Sequence, residues 1–348
     1  MSAATARRLD RRVYLHSRPV LFALLSATRR RPVLRLGRTV LVHDPEAYRE
    51  VLTRVPLDRT AEGTTGGAAA GLTDGGLLFD QDGEAHRAGR RALAERLGSQ
   101  GVERLRPVWQ QVLADRLDPL AGPLDLVPVV RELAGATAAA LTGSGAPPAV
   151  LAGAASAAAA AAAADHLPGL LPRRRAAADA ARAAARLSAL LPDPLDAMVA
   201  VAAVNTTVAA LPRAAAWCAR AGLWPQVSPE LASELLRLTA PSPVLPRVAA
   251  ADATVAGRPL HRGDRLVLVA RHAAEAHRAA PGRPATAAQA VFGAGPHACP
   301  GARLARVQLT DFLTVLAPHR PVVLRARVDR RSALPGYAAL LVGPGGAR

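Results

Sequence analysis

Apolar and polar positions along the 348-residue chain change period from one stretch to the next. Val33-Leu34-Arg35-Leu36 and Thr39-Val40-Leu41-Val42 are alternating or apolar runs split by Gly37-Arg38, the pattern of a β-hairpin. Asp44-Pro45-Glu46 then opens a helix, with Asp as N-cap and Pro at the first position. Residues 92–135 carry Leu and Val at helical spacing, and 136–186 are dominated by alanine, the best helix former. Pro147-Pro148 and Pro168-Gly169 divide that alanine stretch into more than one helix. Residues 196–211 are apolar all round except for Asn205, Thr206 and Thr207, which predicts a buried helix. Ser228-Pro229-Glu230 caps and starts another. Residues 254–260 and 264–269 predict a second hairpin, turning at Arg262-Gly263. Ala305, Leu309, Phe312 and Leu316 mark the buried stripe of a late helix, and 321–324 and 338–342 supply short strands. Residues 1–32 form a basic, poorly patterned arm in which 20–25 is a core segment, and the Gly/Thr/Ala-rich 61–76 is a surface loop.

The densest chemistry lies in Phe292-Gly293-Ala294-Gly295-Pro296-His297-Ala298-Cys299-Pro300-Gly301, which holds one of only two cysteines. Its glycines allow a tight turn with positive φ. Pro300 suits a helix start, so Cys299 is expected at the mouth of a helix N-terminus. Free amides and the helix dipole there lower a thiol pKa and hold a thiolate. Such a thiolate can ligate haem iron. The plainer alternative is a buried, inert cysteine after a glycine turn.

Other residues acquire meaning only in combination. His86 and Arg90 are four apart and share one helix face, which suits an anionic group or is simply a solvated basic face. Thr206 can bond back to a carbonyl one turn earlier and bend its helix. Glu234 and Arg237 are helix neighbours able to pair between leucines. Arg247 ends the proline-extended run from Pro241. His272 and His277 read as surface histidines, Arg91 as solvent-facing and Cys218 as core filler.

Taken together, these motifs resemble the cytochromes P-450, the haem-thiolate monooxygenases, from about residue 33 to the end. The resemblance implies a mostly α P-450 fold, a helical bundle around haem with a small β-rich subdomain, as a single domain over 33–348 after an arm at 1–32. It implies haem b as cofactor, with Cys299 as the metal ligand and Phe292, Gly293, His297 and Gly301 around it. His86, Arg90 and Arg247 would bind the propionates, and Arg283 would join Glu234 and Arg237 in a structural triad. Ala202 to Thr207 match the oxygen-activation helix, with Thr206 and Asn205 as its catalytic positions. Two positions depart from the pattern: Ala203 replaces the glycine that opens the groove, and Asn205 replaces a carboxylate. An amide can organise water but cannot take up and release protons near neutral pH. The implied activity is C–H hydroxylation or epoxidation of a small hydrophobic substrate in specialised metabolism, using O2 and electrons from ferredoxin and ferredoxin reductase. A thiolate-haem enzyme with peroxide-driven or non-hydroxylating chemistry, or a haem-binding protein without monooxygenase activity, is the alternative.

Composition narrows the partners. The formal charge is +17, yet the chain has no lysine and no isoleucine, the mark of a GC-rich coding sequence. Much of the arginine excess is therefore compositional, and 3% aromatic residues are too few for base-stacking platforms, so nucleic acid is not expected. The basic surface suits an acidic protein partner such as a ferredoxin. Two cysteines exclude a disulfide framework and fit a reducing cytoplasm. No stretch is expected to span a membrane.

Overall fold

The computed structural model describes residues 2–64, 66–67, 78, 81, 83–166 and 173–345. Most of the expected 61–76 loop and the Pro168-Gly169 break lie outside the described residues. Two compact units separate, one formed by residues 19–91 and 237–300, the other by 1–18, 92–236 and 301–348.

The first unit is built on a five-stranded sheet of order β1-β2-β8-β5-β3. Its strands are β1 (Val33–Leu36), β2 (Thr39–Val42), β3 (Leu57–Asp58), β5 (Leu245–Ala249) and β8 (Arg265–Leu268). The first hairpin forms as the pattern dictates, with Val33 opposite Val42 and Leu36 opposite Thr39. Helix Pro45–Arg54 starts where its sequence says, and the Asp44 carboxylate accepts from the amides of Glu46 and Ala47. Its Tyr48 and Val51 pack on Val40, Val42, Leu266 and Leu268, the core of this unit.

The second hairpin differs from expectation. β6 (Ala253–Val255) pairs with β7 (Arg258–Leu260), so the chain reverses at Ala256 and Gly257, whose φ values are 46° and 71°. β8 instead runs parallel to β2 and antiparallel to β5. Arg262-Gly263 is the turn that carries the chain from one sheet to the other. There Asp264 accepts from the His261 amide and from Arg35.

The second unit is organised on helix Pro194–Ala221. Helices Ala3–Ser17, Leu126–Thr142 and Pro148–His166 and strand β10 (Gly336–Gly343) pack on it. Alanine is what permits this: Ala134, Ala138, Ala152, Ala155 and Ala200 form the interface with Leu151 and Val204. Gly135 marks the closest approach, since a Cβ there would meet the Pro148 carbonyl oxygen at 2.0 Å. The helix is long and apolar enough to cross a membrane by length and composition, contrary to expectation, but it is packed as a core helix. Strand β9 (Val322–Asp329) and β4 (Leu124–Asp125) flank β10. Helix Ala302–Leu316 is fixed to Ser99–Leu117 through Asp311, which accepts from Arg106 and from the Trp109 indole.

The arm is not unpatterned. Ser2 caps the Ala3–Ser17 helix, and its buried Asp10 pairs at 2.8 Å with Arg213, itself 1% exposed. The 20–25 segment lies in a second helix, Pro19–Thr28, burying Phe22 and Leu25 while Val20 and Leu24 stay exposed.

Candidate functional site

The cysteine loop is a tight backbone structure within the first unit. Gly293 and Gly295 sit at φ 75° and 72°. At Gly295 the constraint is double, because a Cβ would also lie 2.9 Å from the Leu52 carbonyl oxygen. The Cys299 amide donates to the Phe292 carbonyl at 2.7 Å and the Ala298 amide to Gly295, closing the loop on itself. Cys299 is left exposed at its end, which removes the inert buried cysteine as a reading. The following helix starts at Ala302 with Gly301 as N-cap, so Pro300 precedes the helix rather than opening it.

The His86 and Arg90 face is turned onto this loop. Helix Gly83–Leu97 buries His86, whose ring stacks on His297 with centroids 3.7 Å apart and planes at 24°. Arg90 donates through one amino group to the Ala298 carbonyl at 2.7 Å. The rest of its guanidinium fork has no partner among the described residues. Arg91 is exposed, as expected.

Arg247, on β5, is the most informative cation. Among the described residues its only hydrogen bond is to the carbonyl of its own neighbour, Pro246, at 2.7 Å. Its Nε is buried with no partner among the described residues. Burial first, and then the nearby Arg59 charge, push its pKa down to about 10. A guanidinium left in that state lacks an anion. The same environment holds Tyr48, whose hydroxyl donates to Ala290 just ahead of the cysteine loop. Sequence reasoning missed Arg59 and Tyr48, and no local signal marks Arg59 in a chain whose cations are all arginine.

The cluster around Arg237 differs from the expected triad. Arg237 is fully buried and donates to the carbonyls of Ala274 and Glu275 at 3.0 and 2.7 Å. Glu275 in turn holds Arg278 at 2.7 Å and the Gly282 amide at 2.7 Å. Arg283 is not part of this cluster. It pairs with Glu46 at 3.1 Å with both side chains about three-quarters exposed. The missed pair, Glu275 and Arg278, has the three-residue spacing that could have revealed it.

His272 also departs from expectation, because it is buried rather than superficial. Its Nδ1 lies 2.8 Å from that of His43. Desolvation, then the His43 charge, pushes His272 down to about 2, while burial and Arg29 push His43 down to about 4. His277 packs edge-on to His272, and among the described residues no such cluster can hold a metal ion.

In the second unit, Thr206 donates to the Ala202 carbonyl at 2.8 Å, the back-bond its sequence position predicts. Asn205 uses both amide hydrogens on carbonyls, Val201 at 2.8 Å and Ala155 at 3.3 Å. Thr207 donates to the Gln308 side chain, whose amide donates to Thr137. Cys218 is buried and its thiol is pushed up to about 12 by desolvation, as core filler should be.

No known sequence family and no curated protein matches this chain by sequence. Solved structures do match along nearly its whole length. One is CYP109E1 from Bacillus megaterium in complex with testosterone, with a TM-score of 0.77, 18% identity, and 96% of this chain and 100% of that one covered. Another is P450BioI in complex with an acyl carrier protein ligated to hexadec-9Z-enoic acid, with a TM-score of 0.77, 16% identity and coverages of 95% and 99%. A third is P450 OxyD, involved in the biosynthesis of vancomycin-type antibiotics, with a TM-score of 0.70, 21% identity and coverages of 96% and 98%. At these identities the likeness is one of architecture, and the chain has the cytochrome P450 fold.

Proposed function

We propose that this chain is a haem-thiolate monooxygenase acting on a small hydrophobic molecule. The observation that carries the reading is the buried Arg247 Nε with no partner among the described residues, in the unit where His86, Arg90 and His297 gather at the cysteine loop. Haem b fits this set: it has two carboxylates for the cations and an iron atom for a sulfur. Arg247, Arg90, His86 and His297 would hold the propionates, and Cys299 would supply the axial thiolate. Phe292, Gly293 and Gly301 shape the turn that presents it.

Bound haem supplies the reductive activation of O2 that places one oxygen atom in a C–H or C=C bond and releases the other as water. The protein's part is to orient and exclude. The Cys299 amide bond to Phe292 fixes the sulfur on a rigid turn. Thr206 can accept a proton-bearing water at its hydroxyl oxygen while its own hydrogen is held by Ala202. Electrons would come from NAD(P)H through ferredoxin reductase and an acidic ferredoxin, drawn by the strongly basic surface. Testosterone on one matched structure and a fatty acyl carrier protein on another support a hydrophobic substrate, and the antibiotic biosynthesis of a third supports specialised metabolism.

A second reading has its own support. Asn205 is spent on two carbonyls and no carboxylate replaces it, which favours peroxide-driven or non-hydroxylating chemistry, or haem binding alone. The test is to reduce the purified haem protein, add CO, and then supply a surrogate ferredoxin system and, separately, hydrogen peroxide with a panel of hydrophobic substrates. A thiolate-type Soret band with NADPH-driven product supports monooxygenation. The same band with product from peroxide only supports the second reading. Absence of that band overturns both.

A further inference from the structure

Helix Pro194–Ala221 also walls a cavity of about 190 Å³ that lies wholly within the second unit. Its apolar lining includes Ala157, Ala160, Val208, Ala209 and Leu334, and Gly336 and Tyr337 of β10 complete the wall. Its polar groups come from three further places: Arg131 on helix Leu126–Thr142, Arg331 and Ser332 on the turn between β9 and β10, and Ser156 beside Asn205.

Three features define what would fit. Neither Arg131 nor Arg331 has an ion pair or side-chain hydrogen bond among the described residues, so the two arginines that line this cavity are uncommitted. The one carboxylate in the lining, Asp329, already uses Oδ1 on the amides of Arg331 and Ser332, leaving the lining net positive. Asn205 has given both amide hydrogens to Ala155 and Val201, so it offers only its carbonyl oxygen and no competing donor. The volume is below the several hundred Å³ typical of drug-sized pockets, yet it has room for several waters. A bare inorganic anion would leave the alanine and valine wall in water. A neutral hydrocarbon would leave the guanidiniums unused.

We propose that this cavity binds a small organic carboxylate, its anionic end on Arg131 and Arg331 and its hydrocarbon against Ala157, Ala160, Val208 and Ala209. Guanidinium matches carboxylate in a planar, two-bonded geometry that lysine cannot copy. No haem chemistry enters this proposal, so it stands or falls apart from the proposed activity.

Calorimetric titration of the full-length haem protein with benzoate, benzyl alcohol and inorganic phosphate tests it. Benzoate should bind saturably, with benzyl alcohol and phosphate each at least about tenfold weaker, a difference of about 1.4 kcal/mol. The double variant Arg131→Gln, Arg331→Gln should lose at least about tenfold in benzoate affinity. Both positions are exposed, and an unchanged thermal midpoint would confirm that the variant folds. Asp329→Asn, which keeps the turn acceptor but removes the opposing charge, should tighten benzoate. Raising the salt concentration should weaken it. The proposal is overturned if benzoate fails to saturate, if the double variant binds it as well as the parent, or if benzyl alcohol or phosphate matches it. Repeating the titration on Cys299→Ser protein separates this outcome from that of the proposed activity, because the cavity contains no part of the cysteine loop.

Discussion

The loop 292–301 and helix Pro194–Ala221 carry the two halves of the proposed chemistry, and they are constrained in different ways. The loop is held at almost every residue. Two glycines occupy positive φ, two internal amide bonds close the turn, and His86 and Arg90 clasp it from a separate helix. The helix is secured mainly at its edges, by alanine packing, by the Asp10–Arg213 pair and by the Thr207–Gln308–Thr137 chain. At its centre, Asn205 and Thr206 do little but satisfy carbonyls. A cofactor-holding element tolerates few replacements, because each group meets a fixed partner. A helix that only has to be buried accepts alanine and asparagine where the fold usually asks for glycine and an acid.

The largest expected contrast follows directly. Cys299→Ser should abolish the thiolate signature of the reduced CO complex, whereas Thr206→Val should leave that signature intact. Loss of the signature in both variants, or in neither, would erase the distinction between holding the cofactor and using it.

Next in size is Arg213→Met. It leaves Asp10 buried at 3% exposure without its cation, and removing one member of a buried pair costs about 3–5 kcal/mol. Chemical denaturation read by far-UV circular dichroism measures it. The double variant Asp10→Leu, Arg213→Met should recover most of the loss. If the single variant costs under about 1 kcal/mol, the scale expected of exposed pairs, the helix is not anchored at this point.

How much of this was legible beforehand depended on local contrast. The hairpin at 33–42 and the caps at Asp44 and Ser228 were readable because glycine, proline and capping residues interrupt an apolar pattern. The cysteine loop was readable for the same reason. The reversal at Ala256-Gly257 was passed over for Arg262-Gly263 because both offer one glycine, and only tertiary pairing of β8 with β2 decides between them. Arg59 and Arg213 could not be told from the other arginines, since a chain with +17 formal charge gives no single cation contrast. The His43–His272 contact joins residues 229 apart in sequence, which no spacing rule reaches.

Acid should act on the first unit through that contact. One imidazole nitrogen donates to the other across 2.8 Å, so at least one ring must be neutral to leave an acceptor, and the contact is lost when both are protonated. Their folded pKa values, pushed down to about 4 and about 2, lie below the unfolded value near 6.5. Above about pH 6.5 neither state binds the protons and stability is complete. As pH falls below that, the unfolded chain takes them first, so stability is lost at up to about 1.4 kcal/mol per pH unit for each histidine. The charges facing them, Arg29, Arg271 and the His277 ring, act in the same direction. Thermal midpoints should fall between pH 6.5 and pH 5, and His43→Asn, His272→Asn should flatten that slope. A slope unchanged by the double variant would assign acid sensitivity elsewhere. Helix Pro194–Ala221 contains no histidine to supply it.

The smallest effect probes the helix itself. Asn205→Asp replaces an amide that donates to Val201 and Ala155 with a group that, ionised, faces two carbonyl oxygens. The carboxylate therefore has to leave those partners, and the cavity that Asn205 lines offers Arg131 and Arg331 as replacements. A positioned proton donor is worth about 10² to 10⁴ in rate, but one that must first leave its carbonyl partners should recover only part of this, about tenfold. The gain should appear in NADPH-driven turnover alone, because hydrogen peroxide already brings the electrons and protons that the reductive route needs. Equal gains by both routes would mean that the substitution reshapes the pocket rather than supplying protons. No gain in NADPH-driven turnover would mean that proton delivery does not limit the rate, and the asparagine would then be as serviceable as the acid it replaces.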